Sequence, residues 1–300
     1  MAKKDFSFAD VNSELKTLNP LGSIMADSTF SEVTEWIDTG NFHLNACVSG
    51  SLFGGWPNSR TCSIAGPSGT GKTFLVLNSV RKAIEMGYNV IYFDSEAAVD
   101  KDQMEKFGID VAKVNYQPIN TVQEFRTSVT TLTSKMQEVK RNGGKTPKIM
   151  MILDSAGNLA TQKEIDDARS GSEKADMTRS KVLKSIFRII MTPLADLKIP
   201  FIFTNHTYQT QDFISRQVAG GGTGPEYAAS IVLYLGKAQL KDTGGDKAGI
   251  IVTAKPNKNR FAKPTNIKFH LHFTEGMNAY VGLEQYIDWE DIGITKGIIE

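Results

Sequence analysis

One short stretch constrains the fold of this chain more than any other feature. Residues 66–73 read Gly-Pro-Ser-Gly-Thr-Gly-Lys-Thr and match the phosphate-binding pattern G-x-x-x-x-G-K-[S/T] at every fixed position. An apolar, strand-like run over residues 61–65 leads into it, and a helix-like run over residues 74–80 follows. In that context successive backbone N–H groups and a helix N-terminus face an anion. We therefore predict a nucleotide site rather than a glycine-rich turn without a ligand.

The residue types within this phosphate loop predict ATP and Mg²⁺ as cofactors. Lys72 has the reach to contact the β- and γ-phosphates, and the Thr73 hydroxyl is suited to hold Mg²⁺. The rest of the loop wraps its backbone around the phosphates, and these nucleotide-binding positions are Gly66, Pro67, Ser68, Gly69, Thr70 and Gly71.

Composition excludes several classes of protein. The 300 residues are 40% apolar and 22% charged, as in a globular protein with a substantial core. Lys plus Arg number 34 against 33 for Asp plus Glu, so only local features can argue for nucleic-acid binding. Cys47 and Cys62 form neither a disulfide framework nor a zinc pattern. No signal peptide or membrane span is recognisable, so we expect a reducing, ATP-containing cytoplasm and no membrane partner.

Apolar runs alternate with helical patterns and predict an α/β fold. Strands are expected at residues 89–93, 149–153, 199–204, 231–235 and 249–253, and helices at residues 73–86, 122–141 and 179–197. This alternation favours a mostly parallel sheet with helices on both faces. The later strands follow one another directly and end in an alternating run at residues 266–273. They predict an antiparallel extension at one edge.

Three regions are expected along the chain. Residues 1–44 form a polar N-terminal segment with a short helix near residues 11–18. This segment either packs on a neighbouring subunit or is a loose terminus. Residues 45–285 are expected to form the nucleotide-binding α/β core, and residues 286–300 are expected to begin a C-terminal region.

Polar groups follow three further apolar runs, where the carboxyl ends of parallel strands meet at one edge of a sheet. Asp154 is predicted to hold Mg²⁺ with Thr73, the alternative being a helix N-cap. Glu96 is the candidate general base for an attacking water, the alternative being a surface capping carboxylate. His206 is the candidate sensor of the γ-phosphate, the alternative being a satisfied core histidine.

Two long polar stretches, residues 157–176 and 207–225, predict ligand loops at the same edge. Residues 237–268 carry eight basic against two acidic side chains, which is usual for a solvated face. Lys258 and Arg260, expected in a turn, could instead reach an anion on a neighbouring subunit. His270 and His272 share a strand face, but the sequence shows no third ligand, so a zinc site is disfavoured.

Taken jointly, these motifs resemble the RecA family, most closely the phage UvsX-type recombinases. The order and spacing match from about residue 45 to about residue 285. The stretches that carry the resemblance are residues 66–73, 92–96, 153–160, 176–180, 204–208 and 220–225.

The resemblance implies a RecA-type core and a DNA-stimulated ATPase that forms a helical filament on single-stranded DNA. It implies homologous pairing and strand exchange with duplex DNA, loader and single-strand-binding proteins as partners, and, for a phage protein, work in the host cytoplasm. Glu96 and His206 match the catalytic glutamate and the γ-phosphate sensor. Gln103 matches a contact to adenine, and Lys258 and Arg260 match a pair that contacts ATP across the subunit interface.

The resemblance also turns the two ligand loops into DNA-binding loops. The DNA-binding candidates are Lys163, Arg169, Lys174, Arg179, Tyr208, Phe213, Arg216, Gln217, Gly221 and Gly222. Two other functions fit the same nucleotide-site motifs: a ring-forming helicase-type motor, and an ATP-gated DNA-binding paralogue with little hydrolysis. UvsX-type proteins continue beyond the position of Glu300, so we expect this sequence to be either naturally short or truncated. The N-terminal segment matches them poorly.

Overall fold

The computed structural model describes residues 6–30, 32–171, 178–209, 217–219, 224–241, 244–273 and 282–284. Its helices are α1 (Phe8–Leu18), α2 (Phe42–Ser49), α3 (Lys72–Glu85), α4 (Lys101–Lys106), α5 (Val122–Arg141), α6 (Gln162–Arg169), α7 (Arg179–Asp196) and α8 (Gly224–Ala228). Its strands are β1 (Trp36–Ile37), β2 (Trp56–Pro57), β3 (Thr61–Gly66), β4 (Asn89–Asp94), β5 (Val114–Pro118), β6 (Ile149–Asp154), β7 (Phe201–Gln209), β8 (Gln217–Ala219), β9 (Ile231–Lys241), β10 (Lys247–Asn259), β11 (Ile267–His272) and β12 (Gly282–Leu283).

One large sheet forms the centre of the molecule. Its strands lie in the order β12-β11-β10-β9-β3-β7-β6-β4-β5, and β8 pairs with the far end of β7. All neighbours from β9 to β5 pair in parallel. The strands β10, β11 and β12 extend the sheet antiparallel beyond β9. The predicted α/β class, with an antiparallel extension at one edge, is therefore confirmed.

Helices cover both faces of the parallel part of the sheet. Every residue of β3 and β6 is buried, and burial on both faces explains why residues 149–153 of β6 form a continuous apolar run. One core cluster includes Leu75 and Val80 of α3, and a second includes Phe125 of α5 and Phe187 of α7. The helix α5 starts with a capping box in which Thr121 and Glu124 satisfy each other's backbone N–H groups. Among the described residues, no helix is long and apolar enough to cross a membrane.

Three sequence expectations about local structure are wrong in detail. Part of the loop expected at residues 157–176 is the helix α6, which a capping box between Thr161 and Glu164 starts. The loop expected from residue 207 begins instead as regular strand, because β7 continues to Gln209 and pairs with β8. Lys258 lies within β10 rather than in a turn, and Arg260 follows that strand directly.

The N-terminal segment combines an anchored part with an exposed helix. Lys198 anchors this part, because its Nζ donates to the carbonyl oxygens of Thr29, Phe30 and Glu32. Farther upstream, α1 buries none of its residues. The expected helix is present, whereas the division at residue 44 remains a prediction. Residues 286–300 lie outside the described residues.

Candidate active site

The phosphate loop connects the end of β3 to the start of α3. Gly66 pairs with His206 of the neighbouring strand β7, which places both residues at the carboxyl edge of the sheet. Gly71 precedes α3 with a left-handed φ of 84°. A Cβ atom there would collide with the Leu271 side chain, so both backbone conformation and space favour glycine. The sequence thus produces the strand–loop–helix geometry that the motif predicts.

The Lys72 side chain lies over this loop. Its Nζ donates to the carbonyl oxygens of Gly66, at 2.9 Å, and Pro67, at 3.1 Å. Burial lowers the pKa of Lys72, while the nearby Glu96 and Asp154 carboxylates oppose that shift. A partly desolvated ammonium held by two carbonyl oxygens is well placed to exchange them for phosphate oxygens.

Asp154 accepts hydrogen bonds from three hydroxyl groups. Its Oδ2 accepts from Thr73 Oγ1 and from Tyr92 OH, both at 2.9 Å, and its Oδ1 accepts from Thr204 Oγ1. Burial raises the pKa of Asp154, and the three hydroxyl donors counteract that effect. A short helical turn follows at residues 156–158, but Ser155 rather than Asp154 occupies its N-cap position. The helix-cap interpretation of Asp154 is therefore wrong.

The donor set around Thr73 and Asp154 fits Mg²⁺. A hydroxyl and a carboxylate are hard oxygen ligands, and Mg²⁺ in nucleotide sites is held by one or two such groups plus water and phosphate oxygens. Both groups lie at the mouth of the phosphate loop, directly hydrogen-bonded to each other. Thr73 and Asp154 are thus the residues that would hold the ion.

Glu96, His206 and Lys72 form a connected chain of polar groups. His206 Nε2 lies 2.9 Å from Glu96 Oε1, and His206 Nδ1 lies 3.5 Å from Lys72 Nζ. An ammonium can only donate, so this arrangement fits the neutral histidine tautomer that carries its proton on Nε2. Ser155 Oγ also donates to Glu96 Oε1. Glu96 is therefore held by two donors rather than by a helix terminus.

Tyr92, Tyr116, Ser155 and Lys237 belong to this site and were missed by the sequence analysis. Tyr116 OH donates to Asp94 Oδ2 at 2.9 Å, and burial beside that carboxylate raises the pKa of Tyr116 to about 12. Lys237 Nζ donates to the carbonyl oxygen of Ser68 in the phosphate loop at 2.9 Å. A basic side chain two positions after the apolar run at residues 231–235 was the available signal for Lys237.

The remaining nucleotide-site candidates lie apart from this cluster. Gln103 is partly buried on α4, where its backbone N–H is capped by Asp100. Asn259, which lies between Lys258 and Arg260, pairs with Ile231, and Ile231 pairs with Cys62 of β3. Cys62 is four residues before Gly66, which is about 13 Å at roughly 3.3 Å per residue. Lys258 and Arg260 thus lie at the opposite edge of the sheet from their own phosphate loop.

Only some of the DNA-binding candidates lie within the described residues. Lys163 and Arg169 are exposed on α6, and Tyr208 is 67% exposed on β7. Arg179 begins α7, and its Nε and Nη2 atoms are buried without a hydrogen-bond partner among the described residues. Gln217 is the first residue of the strand β8. The candidates outside the described residues are Lys174, Phe213, Arg216, Gly221 and Gly222.

Comparisons with known proteins agree with this geometry. The family described as RecA N-terminal domain matches residues 13–278. The recombination and repair protein of Enterobacteria phage T4 is 33% identical over 243 residues, covering 80% of this chain and 60% of the phage protein. The RecA protein of Paenarthrobacter aurescens is 27% identical over 285 residues, covering 93% of this chain and 76% of that protein. The RecA protein of Streptomyces coelicolor is 26% identical over 279 residues, covering 92% and 68%.

The chain thus spans about 60% of the length of the phage relative. The family match includes the phosphate loop, the segments that contain Glu96, Asp154 and His206, and most of the antiparallel extension. On this evidence the chain belongs to the RecA family.

Proposed function

We propose that this protein is an ATP-dependent recombinase that coats single-stranded DNA as a helical filament and pairs it with homologous duplex DNA. One observation carries the proposal, namely the face of β7 that carries Thr204, His206 and Tyr208 at alternate positions. Thr204 contacts the Mg²⁺-site carboxylate, His206 contacts the candidate base, and Tyr208 exposes an aromatic ring beyond them. The β-strand β7 therefore connects the nucleotide site to an aromatic surface suited to stack on a DNA base.

Hydrolysis is assigned to the residues around the phosphate loop. Lys72 binds the terminal phosphates, and Thr73 and Asp154 would hold Mg²⁺, which would supply neutralisation of phosphate charge. Glu96 orients a water for attack on the γ-phosphorus and accepts its proton, while the bond from the γ-phosphorus to the bridging oxygen breaks and ADP leaves. The two donors to Glu96, Ser155 Oγ and His206 Nε2, fix the carboxylate in place for that step.

We assign to His206 the coupling between nucleotide and DNA. Its ring is held between Lys72, which is assigned to the γ-phosphate, and Glu96, which is assigned to the attacking water. When Lys72 turns to phosphate oxygens, the ring changes its partners, and the backbone of β7 transmits that change to the hairpin with β8. Such a differential contact makes DNA affinity depend on ATP, and hydrolysis then releases the DNA.

The filament is proposed because two groups of one subunit, a basic pair and an apolar helix face, are suited to contact a neighbouring subunit. Arg260 is exposed at the edge of the sheet opposite its own nucleotide site, where it suits ATP bound to a neighbour. Lys258 Nζ donates to the carbonyl oxygen of Tyr227 at 2.9 Å, so it would have to leave that partner. The helix α1 exposes Phe8, Leu15 and Leu18 at helical spacing, an apolar stripe suited to pack on an adjoining subunit.

The DNA contacts are proposed for Tyr208, Arg179 and the exposed basic residues of α6. The Nε and Nη2 donors of Arg179, which have no partner within the described part of the chain, suit a phosphate oxygen. Gln217 and the candidates outside the described residues remain assigned to the same surface from the sequence. Loader and single-strand-binding proteins are the expected accessory partners, and the phage relative favours the host cytoplasm as the place of action.

The test is nucleotide-dependent binding of single-stranded DNA by the Lys72→Ala variant. We expect wild-type protein to bind a fluorescent oligonucleotide much more tightly with Mg²⁺ and a slowly hydrolysed ATP analogue than without nucleotide. The variant should lose that difference because it loses the phosphate contact. Unchanged ATP-dependent filaments in Lys72→Ala would refute the assignment. DNA binding with little hydrolysis in the wild type would favour the ATP-gated paralogue, and homology-independent unwinding would favour the helicase.

A further inference from the structure

A cluster of two histidines and a glutamate lies at the antiparallel edge of the sheet, outside the nucleotide site. His270 and His272 alternate with Phe269 and Leu271 along β11. Phe269 and Leu271 are buried in the core, so the two histidines share the opposite face. Glu284, which follows β12, completes the cluster, and it is the third group that the sequence alone did not reveal.

One carboxylate oxygen lies between the two imidazole rings. Glu284 Oε2 is 2.9 Å from His270 Nδ1 and 3.2 Å from His272 Nε2. One ligand atom from each residue lies within 4.8 Å of the others. In a tetrahedral zinc site with bonds of about 2.0–2.1 Å, ligand atoms are about 3.4 Å apart. The two measured separations are therefore already close to those of a metal centre.

The backbone holds these side chains in position. Glu284 N donates to the carbonyl oxygen of His270 at 3.1 Å, and the Asn41 side-chain amide donates to the carbonyl oxygen of Glu284. Leu283, next to Glu284, is buried in the core. The side chains of His270, His272 and Glu284 are 27%, 13% and 21% exposed, so an ion could enter without unfolding the edge.

We propose that His270, His272 and Glu284 bind a divalent transition metal of the zinc type. Two imidazoles and one carboxylate suit Zn²⁺ and leave a fourth position for water or an outside ligand. His270 and His272 lie on β11 and Glu284 directly follows β12, so the metal links these two paired strands. This edge adjoins the phosphate loop through Leu271, but the nucleotide-site residues take no part in binding.

The test is a titration of the full chain with Co²⁺ and Zn²⁺, without nucleotide and with millimolar Mg²⁺ to occupy the Thr73–Asp154 site. We expect one equivalent of Co²⁺ to give the intense visible absorption of tetrahedral coordination, and Zn²⁺ to displace it. Zn²⁺ should also raise the melting temperature of the wild-type protein. These readouts involve neither ATP nor DNA, so they are independent of the proposed function.

Matched variants locate the metal. Glu284→Gln keeps the shape of the side chain but removes its charge, and His272→Ala removes a ligand. Each should weaken binding by about 100-fold or more and abolish the Zn²⁺-dependent rise in melting temperature. His43→Ala, which removes a histidine of α2 outside the cluster, should bind like the wild type. Absence of stoichiometric binding in the wild type, or wild-type affinity and absorption in folded Glu284→Gln, would overturn the proposal.

Discussion

The hydroxyl of Thr204 offers the sharpest test of how the fold controls the Mg²⁺-site carboxylate. Thr204 is fully buried and is one of three hydroxyl donors to Asp154. Thr204→Val removes the donor while keeping the branched shape, so Asp154 retains two donors. A hydrogen bond to a charged group contributes about 1.5–3 kcal/mol, which we expect as the loss in the free energy of unfolding near pH 8. That loss corresponds to about 3–12 °C in melting temperature.

The deficit of Thr204→Val should depend on pH in a defined direction. Burial raises the pKa of Asp154, and the Thr204 hydroxyl is the strongest of the groups that lower it. Losing that donor raises the pKa of Asp154 further in the folded variant. The folded variant therefore favours the protonated carboxyl, so its stability is retained at low pH and falls as the pH rises through the pKa of Asp154. The gap between variant and wild type should therefore be larger at pH 8 than at pH 5. The acid limb of the ATPase pH profile should move to higher pH.

Chemical denaturation at the two pH values and the ATPase pH profile provide the measurements. Thr204→Ser is the matched control, because it keeps the donor and loses only a methyl group, worth about 0.8 kcal/mol. We expect Thr204→Ser to keep the wild-type acid limb. If Thr204→Val matched Thr204→Ser in both the pH dependence of stability and the ATPase profile, the hydrogen bond would not stabilise the carboxylate and the reasoning would be refuted.

Three further predictions concern turnover, DNA and the subunit interface. Glu96→Gln and Glu96→Ala should lower ATP turnover on single-stranded DNA by about 10²–10⁴-fold. Both variants should still form filaments, which electron microscopy can check. Normal turnover would reject Glu96 as the base. Tyr208→Ala should weaken binding to single-stranded DNA by about 1–3 kcal/mol, whereas Tyr208→Phe keeps the stacking ring; equal anisotropy titrations for both variants contradict this role. The Arg260→Ala variant by itself should have no ATP turnover. Mixing it with the Lys72→Ala variant should restore some turnover, because Arg260 of a Lys72→Ala subunit can contact ATP bound to an Arg260→Ala subunit. Mixtures without recovered turnover would argue against action across subunits.

The parts of the site that the sequence predicted are those fixed by local pattern and by strand direction. Lys72 and Thr73 belong to a contiguous motif, and parallel strands necessarily bring Asp154 and His206 to the same edge. The apolar runs marked the central strands because both faces of the sheet are covered.

The parts that were missed depend on which strands become neighbours. Tyr116 reaches Asp94 only because β5 pairs with β4, and Glu284 reaches the histidines only because β12 pairs with β11. Apolar patterning does not specify such pairings in advance. The helix α6 is a different case, because Thr161 and Glu164 have the spacing of a capping box and were visible in the sequence.

Joint-molecule formation tests the central claim most directly. Circular single-stranded DNA is mixed with linear duplex DNA, protein, ATP and Mg²⁺, and a heterologous duplex serves as the control. A recombinase should form joint molecules only with the homologous duplex and only with ATP, and Lys72→Ala should form none. Absence of homology-dependent joint molecules, with or without loader and single-strand-binding proteins, while single-stranded DNA still stimulates ATP hydrolysis, would contradict the account and favour a motor protein.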